Sequence, residues 1–196
     1  MLYENYLFTS PCSSQVMNYH RFPFRPANTG AADSDTAVAT INRQIIEAFN
    51  ASRHDPDVKK THFFGGRYEN VYVGTDRVPQ LRPVLDQALD YARQITGVNE
   101  LRAGFWFNAM PPGSDTTLHR HDDDDELLSA VYYISAPKDS GNLIIHEADQ
   151  RHEITPAAGD FVFFGPDVPH EVSQNNSDNE RLSIGINFGP LNDEDH

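Results

Sequence analysis

The sequence predicts a mainly β fold with flanking helices: a double-stranded β-helix, or cupin-like jelly roll, with N-terminal helices packed on one sheet. Three observations predict it. From Leu101 onwards the chain is a series of short runs rich in β-branched and aromatic residues, separated by turn-forming clusters. Before that point, two segments repeat apolar residues at helical spacing. The length, 196 residues, fits one domain. We read 1–196 as a single domain with an N-terminal α/β extension over 1–100 and a jelly-roll core over 101–190.

The elements follow in order. MLYENYLFTS suits a short strand, and the Pro-, Gly- and Asp-bearing stretch from Pro23 to Asp35 suits a loop. In DTAVATINRQIIEAFNASR, Val38, Ile41, Ile45, Ala48 and Phe49 recur on one helical face, with Asp35 placed to cap the start. His54-Asp55-Pro56 ends that helix, because the residue before a proline disfavours the α region. THFFGG reads as a loop and RYENVYVG as a strand. A second helix, PQLRPVLDQALDYARQITG, gathers Leu81, Val84, Leu85, Ala88, Leu89, Ala92 and Ile95 on one side and stops at Gly97. The remaining strands are LRAGFWFNAM, TTLHRH, LLSAVYYIS, GNLIIHEA, RHEITP, GDFVFFG, HEVSQN and RLSIGINF. PPGSD, PKDSG, PAAGD, GPDVP and NNSDN supply turns between them. Eight such strands suit a two-sheet roll, whose outer face two amphipathic helices can cover.

Composition narrows the function. Asp and Glu number 29 against 15 Lys and Arg, a net charge of −14. That balance excludes nucleic acid and anionic membranes as main partners, since both require a positive field. The lone cysteine, Cys12, excludes an internal disulfide and a cysteine-based zinc cage. The N-terminus lacks a basic region followed by an apolar one, and no apolar run approaches ~18 residues. A cytoplasmic protein is expected.

The chemistry lies in HRHDDDDELLSAVYYI, residues 119–134. Five consecutive acids, Asp122 to Glu126, read as a solvated turn, as a calcium loop or as part of a transition-metal site. The run has no glycine for the sharp turn of a calcium loop, and Asp124, Asp125 and Glu126 suit a solvated turn. His121 and Asp123 are two apart, so on an extended backbone they share a face. One further histidine would complete the two-His, one-carboxylate triad of non-heme Fe(II) sites, with three positions left open. His170 is the candidate, framed by Gly165-Pro166 and Pro169 at the start of a strand, or else it is a surface residue. His119 and His121 form a competing pair.

Arg181 opens the apolar strand RLSIGINF, where a guanidinium is costly unless it meets a carboxylate. With Ser183 on the same face it reads as a bidentate clamp for a small dicarboxylate, or as an edge-strand arginine bridged to one of the many acids.

The ordered set His121-x-Asp123, His170 and Arg181-x-Ser183 on a late jelly roll resembles the 2-oxoglutarate/Fe(II)-dependent oxygenases. The resemblance covers roughly residues 100–190. It implies Fe(II) held by His121, Asp123 and His170, with Arg181 and Ser183 on the distal carboxylate of 2-oxoglutarate and O2 as second co-substrate. LLSAVYYIS resembles the strand after the iron motif in the prolyl-hydroxylase-like branch, where the second tyrosine, here Tyr133, contacts the same carboxylate. Trp106-Phe107-Asn108 and RLSIGINF resemble a bacterial and phage group of oxygenases, which adds Asn108 to the co-substrate residues. That group carries H-x-H at the motif. Asp123 is preferred to His119 as ligand because it stands six residues before Ser129, the spacing expected in the relatives.

The implied activity is hydroxylation of a small molecule, amino acid or peptide side chain, with release of succinate and CO2. A carboxylate at position 123 separates hydroxylases from halogenating relatives. Two rival readings stand beside it. One is a cupin-type metal enzyme that does not use 2-oxoglutarate, drawing extra ligands from His119 or from His146, itself better suited to a satisfied strand position. The other is a non-enzymatic ligand-binding jelly roll.

Overall fold

The computed structural model describes residues 19–27, 30, 33–120, 125–147 and 150–191. The strand expected in MLYENYLFTS lies outside them, as do Cys12, His121 and Asp123.

The described elements are β1 (Tyr19–Pro23), α1 (Ser34–Ser52), β2 (Lys59–Phe64), β3 (Arg67–Tyr72), a 3-10 turn (Pro79–Leu81) and α2 (Arg82–Thr96). Then follow β4 (Leu101–Met110), β5 (Thr116–His119), β6 (Leu128–Ser135), β7 (Leu143–Glu147) and β8 (Gln150–Ile154). β9 (Asp160–Phe164), β10 (His170–Val172) and β11 (Arg181–Pro190) complete them. Every strand expected after Leu101 forms. They sort into a seven-stranded sheet, β1-β9-β6-β11-β4-β3-β2, and a four-stranded sheet, β5-β10-β7-β8, as a jelly roll requires.

Alternation along the strands builds two cores. Tyr132, Phe161, Phe163, Ile184, Ile186 and Phe188 face α1 and α2, meeting Ile45, Phe49, Val84 and Ala88. Tyr133, Val162 and Phe164, one residue out of phase, face the smaller sheet and pack with Leu143, Ile145, Ile154 and Val172. The helices therefore cover one face of the large sheet, as predicted. Phe49 stacks on Phe107 at 4.3 Å between ring centroids. Burial of each such side chain stabilises by about 1.5–3 kcal/mol.

Two local expectations are corrected, and one strand forms where none was expected. THFFGG is not a loop: its β-branched and aromatic residues form most of β2, and only Gly65 and Gly66, at φ 54° and 81°, make the turn into β3. Tyr19–Pro23 forms an edge strand on β9, in a region with no strand signal beyond its own aromatic residues. Asp33, not Asp35, occupies the cap of α1, and its side chain makes no capping bond. Asp35 sits in the first turn, where a negative charge favours the helix dipole. Gly97 ends α2 as expected, at φ 73° with its N–H donating to the Arg93 carbonyl.

Candidate active site

β11 is an interior strand, with β4 on one side and β6 on the other. In this register Ser183 lies opposite Asn108 on β4 and opposite Tyr133 on β6. Arg181, two residues earlier, shares the face of Ser183. Four residues named from the sequence thus meet in one patch between the sheets.

The Arg181 side chain is buried, 1% exposed. Its Nη1 donates to the Gly141 carbonyl at 3.0 Å, and its Cζ stands 5.0 Å from the Tyr133 ring centroid. Its Nε has no acceptor, the Tyr133 hydroxyl has no partner, and Arg181 makes no ion pair among the described residues. Burial lowers the guanidinium pKa and pushes the Tyr133 phenol up; each group pulls the other partly back. The edge-strand reading is thereby overturned, because the strand is central and no acid among the described residues bridges the arginine. A buried guanidinium and a buried phenol, both lacking an acceptor, fit a carboxylate supplied by a ligand. The supporting carbonyl depends on Gly141, at φ 92°, where a Cβ would stand 2.1 Å from the Ser173 carbonyl oxygen.

The smaller sheet supplies histidines to the same chamber. His170 on β10 pairs with His119 on β5, their ring centroids 4.3 Å apart. His170 Nδ1 lies 2.9 Å from the Val168 carbonyl, and His119 Nδ1 lies 2.8 Å from that of Thr117. A carbonyl only accepts, so each Nδ1 carries a proton and donates to it. His170 is buried, which removes the surface reading. Both histidines line the chamber with Arg181 and Ser183. His121 and Asp123 lie outside the described residues, and no group of three or more His, Cys, Asp or Glu forms a metal cluster among the described ones. His146 does not line the chamber; its Nε2 is 3.0 Å from Glu171 Oε1, the satisfied strand histidine expected.

Residues 105–189 match the 2OG-Fe(II) oxygenase superfamily. The matched stretch runs from β4 to β11 and so spans the jelly-roll core. No curated protein matches the chain by sequence. Among solved structures, the fold is similar to a Pseudomonas putida prolyl-4-hydroxylase, with 21% identity, TM-score 0.59 and 90% of each chain covered. It is similar to a Trichoplax adhaerens prolyl hydroxylase in complex with a hypoxia inducible factor peptide fragment (13% identity, TM-score 0.66, 88% of this chain and 84% of that one). It is also similar to the alpha ketoglutarate dependent carbocyclase SnoK of nogalamycin biosynthesis (16%, TM-score 0.65, 88% and 79%). At these identities the likeness is one of fold. The superfamily implies Fe(II), 2-oxoglutarate and O2, and with them an oxidoreductase. No helix among the described residues is long and apolar enough to cross a membrane.

The chamber widens through Trp106, Asn108, Thr116, His119 and Asn187 into an outer groove, bounded further by His62, Glu69 and Tyr72 of the β2–β3 hairpin. Gly185 makes room for the Trp106 ring, since a Cβ there would lie 2.5 Å from it. The acid run is not wholly a solvated turn. Asp125 pairs with Arg102, and Glu126 Oε1 accepts from Asn187 Nδ2 at 2.5 Å while Asn187 Oδ1 accepts from Ser129 at 3.0 Å. These ties, Thr116 and the hairpin were missed from sequence. Asn187, four residues beyond Ser183 in RLSIGINF and so on the same face, was the signal available.

Proposed function

We propose that the protein is a non-heme Fe(II)- and 2-oxoglutarate-dependent dioxygenase that hydroxylates a small molecule, an amino acid or a peptide side chain. The observation that carries this reading is the buried Arg181, whose Nε, like the neighbouring Tyr133 hydroxyl, has no hydrogen-bond partner among the described residues. His121, Asp123 and His170 would hold the iron, with the Nδ1–H of His170 fixed on the Val168 carbonyl. Arg181, Ser183, Tyr133 and Asn108 would hold 2-oxoglutarate through its distal carboxylate. Bound together, Fe(II), 2-oxoglutarate and O2 supply an oxidant strong enough for an unactivated C–H bond, and the co-substrate leaves as succinate and CO2. The chain itself orients the two substrates and shields the chamber with the Trp106 ring and the apolar side chains Leu143, Phe164 and Val172.

The test is succinate formation from 2-oxoglutarate by the Fe(II)-loaded protein across a library of amino acids, peptides and metabolites. A stimulating substrate should acquire one oxygen atom from labelled O2. A labelled substrate establishes hydroxylation; oxidation without label replaces hydroxylation by desaturation or ring closure. No binding of 2-oxoglutarate in the presence of metal overturns the reading entirely.

A further inference from the structure

We propose that Arg67, outside every motif described above, is a positioning residue that turns the amide of Asn108 into a donor facing the co-substrate. The inference rests on the 2-oxoglutarate reading and assigns that site an unrecognised support.

Arg67 is the first residue of β3, directly after the Gly65-Gly66 turn. β3 is registered against β4 at one pair, Val71 with Phe107. Nearer the hairpin tip the guanidinium bridges the two strands. Nη1 donates to Asn108 Oδ1 at 2.9 Å and to the Ala109 carbonyl at 3.4 Å. Nη2 donates to the Asp115 carbonyl at 2.7 Å, Thr116 Oγ1 at 3.0 Å and Glu69 Oε1 at 3.2 Å. One side chain thus joins β3, β4, the turn after β4 and β5. It is 10% exposed, and burial lowers its pKa while Glu69 raises it.

The chemical consequence lies at Asn108. An arginine N–H can only donate, so the amide atom facing it is Oδ1. The atom left over is Nδ2, which has no hydrogen-bond partner among the described residues. Asn108 lines the chamber with Arg181 and Ser183, and Ser183 is its cross-strand partner. Arg67 therefore fixes which end of the amide is available there: a donor, suited to an anion, rather than a carbonyl that would repel one. Sequence reading missed this because an asparagine's orientation is set by whatever occupies its other side.

The test is equilibrium binding of 2-oxoglutarate to the protein loaded with Mn(II) in place of iron, with O2 excluded. Arg67→Met should raise Kd about tenfold, the scale of one hydrogen bond to a charged group. In an Asn108→Ala background the same change should move Kd less than about twofold, because the residue through which Arg67 acts is gone. Additive effects in that cycle overturn the proposal. Asn108→Asp supplies a second arm should Arg67→Met fail to fold, since it keeps an acceptor for Arg67 but turns a carboxylate oxygen to the chamber. It should bind 2-oxoglutarate more weakly than Asn108→Ala; equal or tighter binding overturns the proposal. Absence of 2-oxoglutarate binding by the unsubstituted protein defeats the underlying reading instead.

Discussion

Replacing Arg181 with methionine separates a ligand-holding arginine from a structural one by the sign of two measurements. The ligand-free protein bears the cost of burying this charge, several kcal/mol, with no carboxylate to offset it. Against that stand one hydrogen bond to the Gly141 carbonyl, about 1.5–3 kcal/mol for a charged donor, and the contact with Tyr133, about 2 kcal/mol when desolvated. These nearly cancel, so Arg181→Met should leave ligand-free stability within about 2 kcal/mol of the parent. A structural ion pair broken on one side would cost about 3–5 kcal/mol. Binding should respond quite differently. Losing one partner of a buried charge pair costs about 2–5 kcal/mol, a Kd raised roughly 30- to several-thousand-fold. Urea denaturation of the ligand-free protein and calorimetric titration of 2-oxoglutarate with Mn(II) present read the two effects separately. A Kd within about threefold of the parent, or a destabilisation above about 3 kcal/mol with affinity intact, would refute the clamp.

Further expectations follow from the same geometry. Tyr133→Phe removes a hydroxyl that has no partner among the described residues, so stability should hold while co-substrate binding weakens by about 0.5–1.5 kcal/mol; unchanged titration removes Tyr133 from the set. Gly141→Ala would set a Cβ 2.1 Å from the Ser173 carbonyl at a φ of 92° and should destabilise by about 2–4 kcal/mol. It should also weaken co-substrate binding by moving the carbonyl that holds Arg181; a thermal melt matching the parent's contradicts it. Asp123→Ala and His170→Ala should each abolish Fe(II) binding measured by equilibrium dialysis, whereas His119→Ala should largely retain it. Loss of binding in His119→Ala with retention in Asp123→Ala moves the ligand set to His119, His121 and His170.

The eight strands after Leu101 and both helices were legible because local composition decided them. Each apolar run is bounded by its own Pro, Gly, Asn and Asp cluster, and each strand's alternation assigns one face to the helices and one to the smaller sheet. Where a segment's length and turn were ambiguous, as in THFFGG, two glycines read as a loop were in fact a two-residue turn with strand on either side. The edge strand Tyr19–Pro23 depends on β9 to give it partners, and nothing local announces that.

For the site, the residue types in their order singled out the candidates: a histidine framed by prolines and an arginine in an apolar strand. Same-face spacing joined Arg181 to Ser183 without any structure. Strand order alone put Asn108 and Tyr133 on either side of Ser183, because cross-strand neighbours are fixed by register between segments far apart in the chain. The arginine's significance also needed the fold. Only a central β11, with no ion pair to Arg181 among the described residues, distinguishes a buried unpaired guanidinium from an ordinary salt bridge. Likewise the Asp125 and Glu126 ties to Arg102 and Asn187, and the Arg67 bridge behind Asn108, link charges that are widely separated in sequence. Local propensity and periodicity are written into each segment. Pairing between distant segments is settled only when the sheets close and each buried polar group finds, or fails to find, a partner.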